Sequence, residues 1–247
     1  MTVEKEYSVK LSEIDRNNEA TNKAILSYLE DIGGIHSNMT GYGLLNIKDT
    51  HLSWLLLEWK LEVSKRPKYA DTLKVKTWSR ESIKCYAYRD FEIMDEEGNI
   101  IARAASKWVL IDIEKGRIVK IEDDMMAKYE PEVTRKAFQN ENFEKQCEPQ
   151  RYESEIEYVV RRADIDVNNH MHNLNYLDLL NEALPEDVYI NEQLNDIRIT
   201  YKKEIKLGEI VKCKYSFEGG KHIVVIKSED DKILHAIISA KSKDSLL

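Results

Sequence analysis

Between residues 20 and 32, Ile25, Tyr28, Leu29 and Ile32 recur at the spacing that brings side chains onto one face of a helix. Between 173 and 184, Tyr176, Leu177, Leu180, Ala183 and Leu184 do the same. Each of these runs is followed by segments of strand character. After the first come "WLLLEWKLEV", "DTLKVKTWSR", "CYAYRDFEIM" and "NIIARAASKWVLID", interrupted by Arg66-Pro67 and by the turn signal Glu97-Gly98-Asn99. After the second come "NDIRITYKKEI", "EIVKCKYSF", "KHIVVIKS" and "KILHAIISAK", punctuated by Gly208 and Gly219-Gly220. Val211, Cys213, Tyr215 and Phe217 alternate onto one face of the second of these. The pattern is one substantial helix followed by an antiparallel meander, written twice. A lone helix with four or more such strands predicts an α+β unit in which a curved sheet wraps around the helix.

The two copies are related residue by residue. Asp166 lies 151 positions after Asp15, and at this single offset Tyr7/Tyr158, Val9/Val160, Ile14/Ile165, Asn17/Asn168, Asn18/Asn169, Asn22/Asn173, Leu26/Leu177 and Leu29/Leu180 are also identical, without a gap. Two unrelated helix starts would share Asn and Asp but not the flanking Tyr, Val and Leu. A unit that recurs once at half the chain length implies two copies of one fold rather than a solenoid. The stretch 113–150, rich in Glu, Lys, Asp and Asn with Pro131 and Pro149, reads as a connection with some helix. The expected division is a first repeat over 1–120, a linker over 121–150 and a second repeat over 151–247.

Composition narrows the function. Of the 247 residues 42% are hydrophobic and 33% charged, which suits a chain with a sizeable core, and the apolar runs fall far short of a membrane span. A net charge of −8 disfavours general affinity for nucleic acid. Cys85, Cys147 and Cys213 are odd in number and widely spaced, so neither a disulfide framework nor a zinc site is expected, and no cofactor motif is present. "MTVEKEYSV" has no apolar core of signal-peptide length, and a cytoplasmic protein is the expectation.

The run "DIDVNNHMHNLNY", preceded by Arg161-Arg162 and followed some thirty residues on by "YKKEI", resembles the signature of the acyl-ACP thioesterases, and "WLLLEWKLEVSKRPKYADTLKVKTW" with "RAASKWVLID" resembles their N-terminal repeat. The resemblance covers nearly the whole chain and is to a bacterial member, since plant members carry a transit peptide. It implies a double hot-dog fold, two tandem hot-dog units in one polypeptide, with hydrolysis of fatty acyl thioesters on an acyl carrier protein. Carried over by position, it implies Asp166, Asn168, His170 and Glu204 as the catalytic residues, with the first repeat holding the acyl chain. One departure bears on the mechanism: the cysteine that the family places after the Glu is Ile205 here. A Cys-His-Asn mechanism through that position is closed to this chain. His172 stands where the family has the first of two asparagines, and inherits no role.

Thioester hydrolysis needs an activated water and donors for the developing oxyanion. Asn168 and His170 are expected immediately before the helix, where unpaired backbone N–H groups favour an oxyanion. A well-aimed donor of this kind supplies roughly 3 to 4 kcal/mol. Glu204, expected on a strand, is the candidate general base, with its pKa expected to rise from about 4.3 by partial burial. His170 could share that task, imidazole being both donor and acceptor, and Asp166 is most simply the acceptor that fixes the loop. Capping alone would account for the Asp-x-Asn-Asn that both copies share. They part at the next residue, Glu19 in the first and His170 in the second, so only the second is expected to be catalytic. An acyl-CoA thioesterase, a hot-dog hydratase or dehydratase, and a non-catalytic acyl-binding protein are the alternatives. The usual hydratase pattern sets the His one residue farther on, with a Pro between. Chain length, carrier against CoA, and homodimerisation stay open, and Arg161-Arg162 with Lys202-Lys203 could attract an acidic carrier.

Overall fold

Ile25, Tyr28, Leu29 and Ile32 are all buried on one face of a helix, α1 (Asn22–Met39), which packs against the strands β1 (Thr2–Ser8) and β3 (Thr72–Ser79). Each such fully buried Leu or Ile contributes about 1.5–3 kcal/mol relative to exposure. The computed structural model describes residues 1–139 and 143–242. The chain divides into two compact units, Met1–Asn142 and Phe143–Leu247.

The first unit adds α2 (Ile47–Thr50), β2 (Leu52–Val63), β4 (Tyr86–Met94), β5 (Ile100–Asp112), β6 (Arg117–Val119) and α3 (Asp123–Lys128). Its sheet is antiparallel in the order β1-β3-β4-β5-β2, with β6 paired to β5. Trp59 and Trp78 lie wholly inside, whereas Trp54 and Trp108 are half-buried beside Tyr129 and its neighbours. Residues 121–129, which the sequence assigns to the linker, contribute to this unit's interior: Ile121, Met125, Met126 and Tyr129 are buried together with Leu110 and Ala87.

The second unit contains β7 (Ser154–Val159), α4 (Tyr176–Ala183), α5 (Glu186–Asn191), β8 (Leu194–Tyr201), β9 (Ile210–Glu218), β10 (Lys221–Ser228) and β11 (Leu234–Ser242). Its antiparallel order is β7-β9-β10-β11-β8, strand for strand the order of the first unit. Tyr176, Leu177, Leu180 and Ala183 are buried along α4, which packs on β7 and β9. On β9, Val211, Cys213 and Tyr215 are buried, but Phe217 at its end is half exposed. Each unit is an antiparallel sheet around one main helix, the α+β hot-dog architecture that the resemblance implies.

Candidate active site

The Asp-x-Asn-Asn motif of the second unit is a closed turn rather than a helix cap. Ile165 and Met171 form an antiparallel bridge, and the Asp166 carboxylate sits inside the turn they enclose. Its Oδ1 accepts the backbone N–H of Asn168 at 2.8 Å and of His170 at 3.4 Å, and its Oδ2 accepts Nδ2 of Asn168 at 3.3 Å. Asn169 takes the left-handed conformation, φ 60°, which asparagine tolerates better than most residues. Capping falls to the next segment, where Nδ1 of His172 accepts the N–H of Leu174 at the head of a short 3-10 turn, Asn173–Asn175. Only after that does α4 begin. The expectation that Asn168 and His170 sit at the helix mouth is therefore corrected: a 3-10 turn intervenes, and its first donors already have partners.

Glu204 is also displaced from its expected setting. β8 ends at Tyr201, so Glu204 lies in the connection to β9 rather than on a strand. That connection is tied to the turn. His170 bridges Lys206, and the N–H of Met171 donates to the carbonyl of Ile205 at 2.8 Å. Antiparallel register at this crossing puts Glu204 diagonal to His170 on the same side. The two are close enough that His170 helps to hold the Glu204 carboxyl in its ionised form.

The electrostatics of Glu204 run against the sequence expectation. Nζ of Lys203 lies 2.9 Å from its Oε1, with both side chains partly exposed. That hydrogen bond, only partly opposed by burial, holds the Glu204 pKa below the ordinary glutamate value. Partial burial is present, but the neighbouring ammonium outweighs it. Glu204 is an ionised carboxylate at neutral pH, able to accept a proton but less basic than a free glutamate. Tyr176, buried beneath the turn, feels the charges of Glu204 and Asp166. Burial and these carboxylates hold its phenol well above the ordinary value, so it stays neutral. Tyr176 closes the signature and Lys203 falls in the later YKKEI run, but the sequence assigns neither a part in the chemistry, since a Lys-Lys pair and a helical Tyr each suit a solvated or core position.

The first unit repeats the framework with different chemistry. Oδ1 of Asp15 accepts the N–H of Asn17 at 2.8 Å and of Glu19 at 3.1 Å, Asn18 has φ 60°, and Ile14 bridges Ala20. Glu19 bridges Lys68, and Ala20 donates to the carbonyl of Pro67 at 2.8 Å. Lys68 and Pro67 thus correspond to Lys206 and Ile205, which makes Arg66 the counterpart of Glu204. Arg66 donates from Nη1 to the carbonyl of Ala20 at 2.8 Å and from Nη2 to Oδ1 of Asn22 at 2.9 Å. Where the second unit brings His170 to a carboxylate, the first brings Glu19 to a guanidinium.

Of the cysteines, Cys213 is buried, and burial pushes its thiol up to about 12. The side chain at position 205, Ile205, is fully buried. Among the described residues no group of His, Cys, Asp and Glu side chains is placed to hold a metal ion, and no helix is long and apolar enough to cross a membrane.

Residues 1–129 match the profile of the acyl-ACP thioesterase N-terminal domain and residues 147–245 that of the acyl-ACP thioesterase C-terminal domain. An oleoyl-acyl carrier protein thioesterase of Coriandrum sativum is 26% identical over 242 residues, covering 92% of this chain and 66% of the relative. Oleoyl-acyl carrier protein thioesterase 1 of Arabidopsis thaliana is 26% identical over 226 residues, 85% of this chain and 62% of the relative. The chain thus spans somewhat under two thirds of the length of these relatives. Two solved structures share the fold: an acyl-ACP thioesterase from Bacteroides thetaiotaomicron, TM-score 0.86 at 16% identity over 97% of each chain, and the 12:0-ACP thioesterase from Umbellularia californica, TM-score 0.84 at 18% identity over 97% of this chain and 96% of that one. With both domain profiles matched in order along most of its length, the chain belongs to the acyl-ACP thioesterase family.

Proposed function

We propose that the protein hydrolyses the thioester between a fatty acyl group and the phosphopantetheine of an acyl carrier protein, releasing the free fatty acid and the carrier thiol. The observation that carries this reading is in the second unit, where the turn fixed by Asp166 docks on the connection after β8 and brings His170 near enough to the ionised Glu204 to help lower its pKa. Water bound between these two side chains gives a proton to Glu204 as its oxygen attacks the carbonyl carbon. The oxyanion that forms takes hydrogen bonds from His170 and from the second N–H of the Asn168 side-chain amide, the first being held by Asp166. Collapse of the tetrahedral intermediate expels the thiolate, which takes up the proton held by Glu204 and so restores the carboxylate. No covalent acyl-enzyme is required, in keeping with Ile205 at the position where the family carries cysteine.

On this reading the first unit is catalytically silent and holds the acyl chain. The protein ends fatty-acid synthesis in the cytoplasm by withdrawing finished chains. The test is simultaneous measurement of released thiol and free acid over a chain-length panel of acyl-ACPs and acyl-CoAs. The expected result is stoichiometric release of both products, with acyl-ACP preferred. Preference for acyl-CoA would reassign the carrier, and binding without release of either product would end the hydrolase reading.

A further inference from the structure

The interior of the first unit contains a cation without an anion. Arg89, on β4, is 7% exposed and reaches under α1, where Nη1 lies 2.8 Å from Nδ1 of His36 and 3.2 Å from Oγ1 of Thr77. The guanidinium also lies 5.7 Å from the centre of the Tyr129 ring. Among the described residues no carboxylate pairs with Arg89. A guanidinium can only donate, so Nδ1 of His36 accepts, and the proton of the neutral ring sits on Nε2. That Nε2 is buried and has no hydrogen-bond partner, although His36 is fully enclosed. Burial and the Arg89 charge hold His36 neutral, down at about 3, while burial brings Arg89 to about 10, still a cation at neutral pH. Two donors, one charged, are enclosed together with an incomplete set of acceptors. A buried charge or polar group left in this way is costly.

The second unit shows how the same position is completed. Tyr7 pairs with Leu73 and its counterpart Tyr158 with Val211, so Thr77 corresponds to Tyr215 and Ser79 to Phe217. Ser79 faces Arg89 and Phe217 faces His222, so Arg89 and His222 occupy one register position. His222 is likewise buried, its Nδ1 3.0 Å from the hydroxyl of Tyr215. Its Nε2, however, meets a carboxylate, Oε2 of Glu192 just beyond α5, at 3.1 Å. The second unit supplies its own acid to this buried ring from the exposed segment after α5; the first, among its described residues, does not.

We propose that Arg89 and His36 form an interior oxyanion site of the first unit, and that it takes a carboxylate. The source is either the far end of an acyl chain that carries a second carboxyl group or a small free carboxylate. The first source rests on the reading above that the first unit holds the acyl chain. A carboxylate placed against the guanidinium and the imidazole N–H would receive charge-assisted hydrogen bonds from both, completing what Glu192 completes in the second unit. A chain ending in a methyl group would leave both donors unpaired. Arg89 is thus a specificity residue outside the catalytic motif, and it favours a chain with an oxygen-bearing end.

The test uses the whole chain and direct binding, so it does not depend on hydrolysis. Calorimetric titration with monomethyl decanedioate, which has one free carboxylate, and with methyl decanoate, which has none, should show the half-ester binding at least about tenfold more tightly, a difference that Arg89→Met removes and Arg89→Lys partly keeps. His36→Leu should reduce it. Without ligand, Arg89→Met should melt at or above the wild-type temperature, because it removes an unpaired buried charge. A site that takes free carboxylates would instead show acetate stabilising wild type but not Arg89→Met, with no advantage for the half-ester over acetate. Equal affinity for the half-ester and methyl decanoate together with no acetate effect would overturn the proposal. So would an Arg89→Met variant that is strongly destabilised or keeps the wild-type preference. Decanoyl-ACP hydrolysis, followed in parallel, reports on the catalytic reading alone.

Discussion

Arg66 occupies in the first unit the register position that Glu204 occupies in the second, each one residue before the carbonyl that accepts the N–H following the motif. Glu19 and His170 are exchanged in the same sense. The acid–base pair is therefore kept in outline but reversed in sign, and Arg66 is committed to the carbonyl of Ala20 and the side chain of Asn22. A guanidinium cannot accept a proton from water, and a carboxylate at Glu19 would repel an oxyanion. Under the proposed function this gives one active site per chain. His170→Ala should lower turnover by at least about a hundredfold, whereas Glu19→Ala should change it less than about twofold. Equal losses in the two folded variants, or two equivalent sites for a tight thioester analogue, would remove the asymmetry.

Glu204→Gln keeps the shape of the side chain and removes its basicity, so turnover should fall at least about a hundredfold with the melting temperature little changed. Near-normal turnover in a well-folded variant would take Glu204 out of the mechanism.

Lys203 makes this role readable in a pH profile. Its ammonium holds the Glu204 carboxyl below the ordinary range, so the base stays ionised to unusually low pH. Lys203→Gln should release the carboxyl upward, moving the acid limb of kcat/KM to higher pH. At neutral pH the variant should keep or gain rate, because the carboxylate becomes more basic. An acid limb that does not move belongs to another group.

How much of this could be read from the chain alone follows from the strength of each local signal. The faces of α1 and α4 and the alternation in β2–β5 and β9–β11 span several turns or pairs, so the fold and the repeat were legible. Ile197, Ile199 and Ile205 extend the alternation of β8 into the following connection, which is why Glu204 reads as a strand residue. Ile205 is buried because its backbone docks on Met171, a contact distant in sequence. Asp and Asn favour helix caps and tight turns for the same reason, a short side-chain acceptor, and only the bridges on either side distinguish the two. The six residues of α3 are too few to print a periodicity, so Met125 and Met126 look like linker until the core around Tyr129 is seen. The Lys203 pairing that holds the Glu204 carboxyl below its ordinary range is set by rotamers and carries no sequence signature.

A thiol mechanism is testable separately. Cys213 is enclosed with its thiol held protonated, Cys85 and Cys147 lie outside the His170 turn, and Ile205 fills the position in question. Replacing all three cysteines by Ala should leave turnover within about twofold, with a stability loss on the order of 1 kcal/mol from Cys213. Wild-type enzyme should also survive iodoacetamide. A folded triple variant without turnover would restore a cysteine to the mechanism.

Asp164 determines whether the turn is held in place at all. Its buried carboxylate accepts the hydroxyl of Tyr158 at 2.7 Å, the N–H of Arg161 at 2.7 Å and the Arg161 guanidinium at 2.9 Å, while its carbonyl accepts the N–H of His172 at 2.8 Å. Burial alone would raise its pKa, but the bonds from Arg161 and Tyr158 outweigh burial and leave the carboxyl below the ordinary aspartate value. A depressed folded pKa stabilises the protein fully above the unfolded value, about 3.9, and that contribution is lost as pH falls through the folded pKa. Asp164→Asn should therefore cost about 1–3 kcal/mol at neutral pH, since it removes the ion pair with Arg161 and turns an amide donor toward that guanidinium. Below about pH 4 the difference from wild type should shrink, because wild type is losing the same charge. Urea denaturation of both proteins between pH 7 and pH 3 measures this. A gap that stays constant across that range would mean that Asp164 acts through shape alone, and that the His170 turn does not depend on its charge.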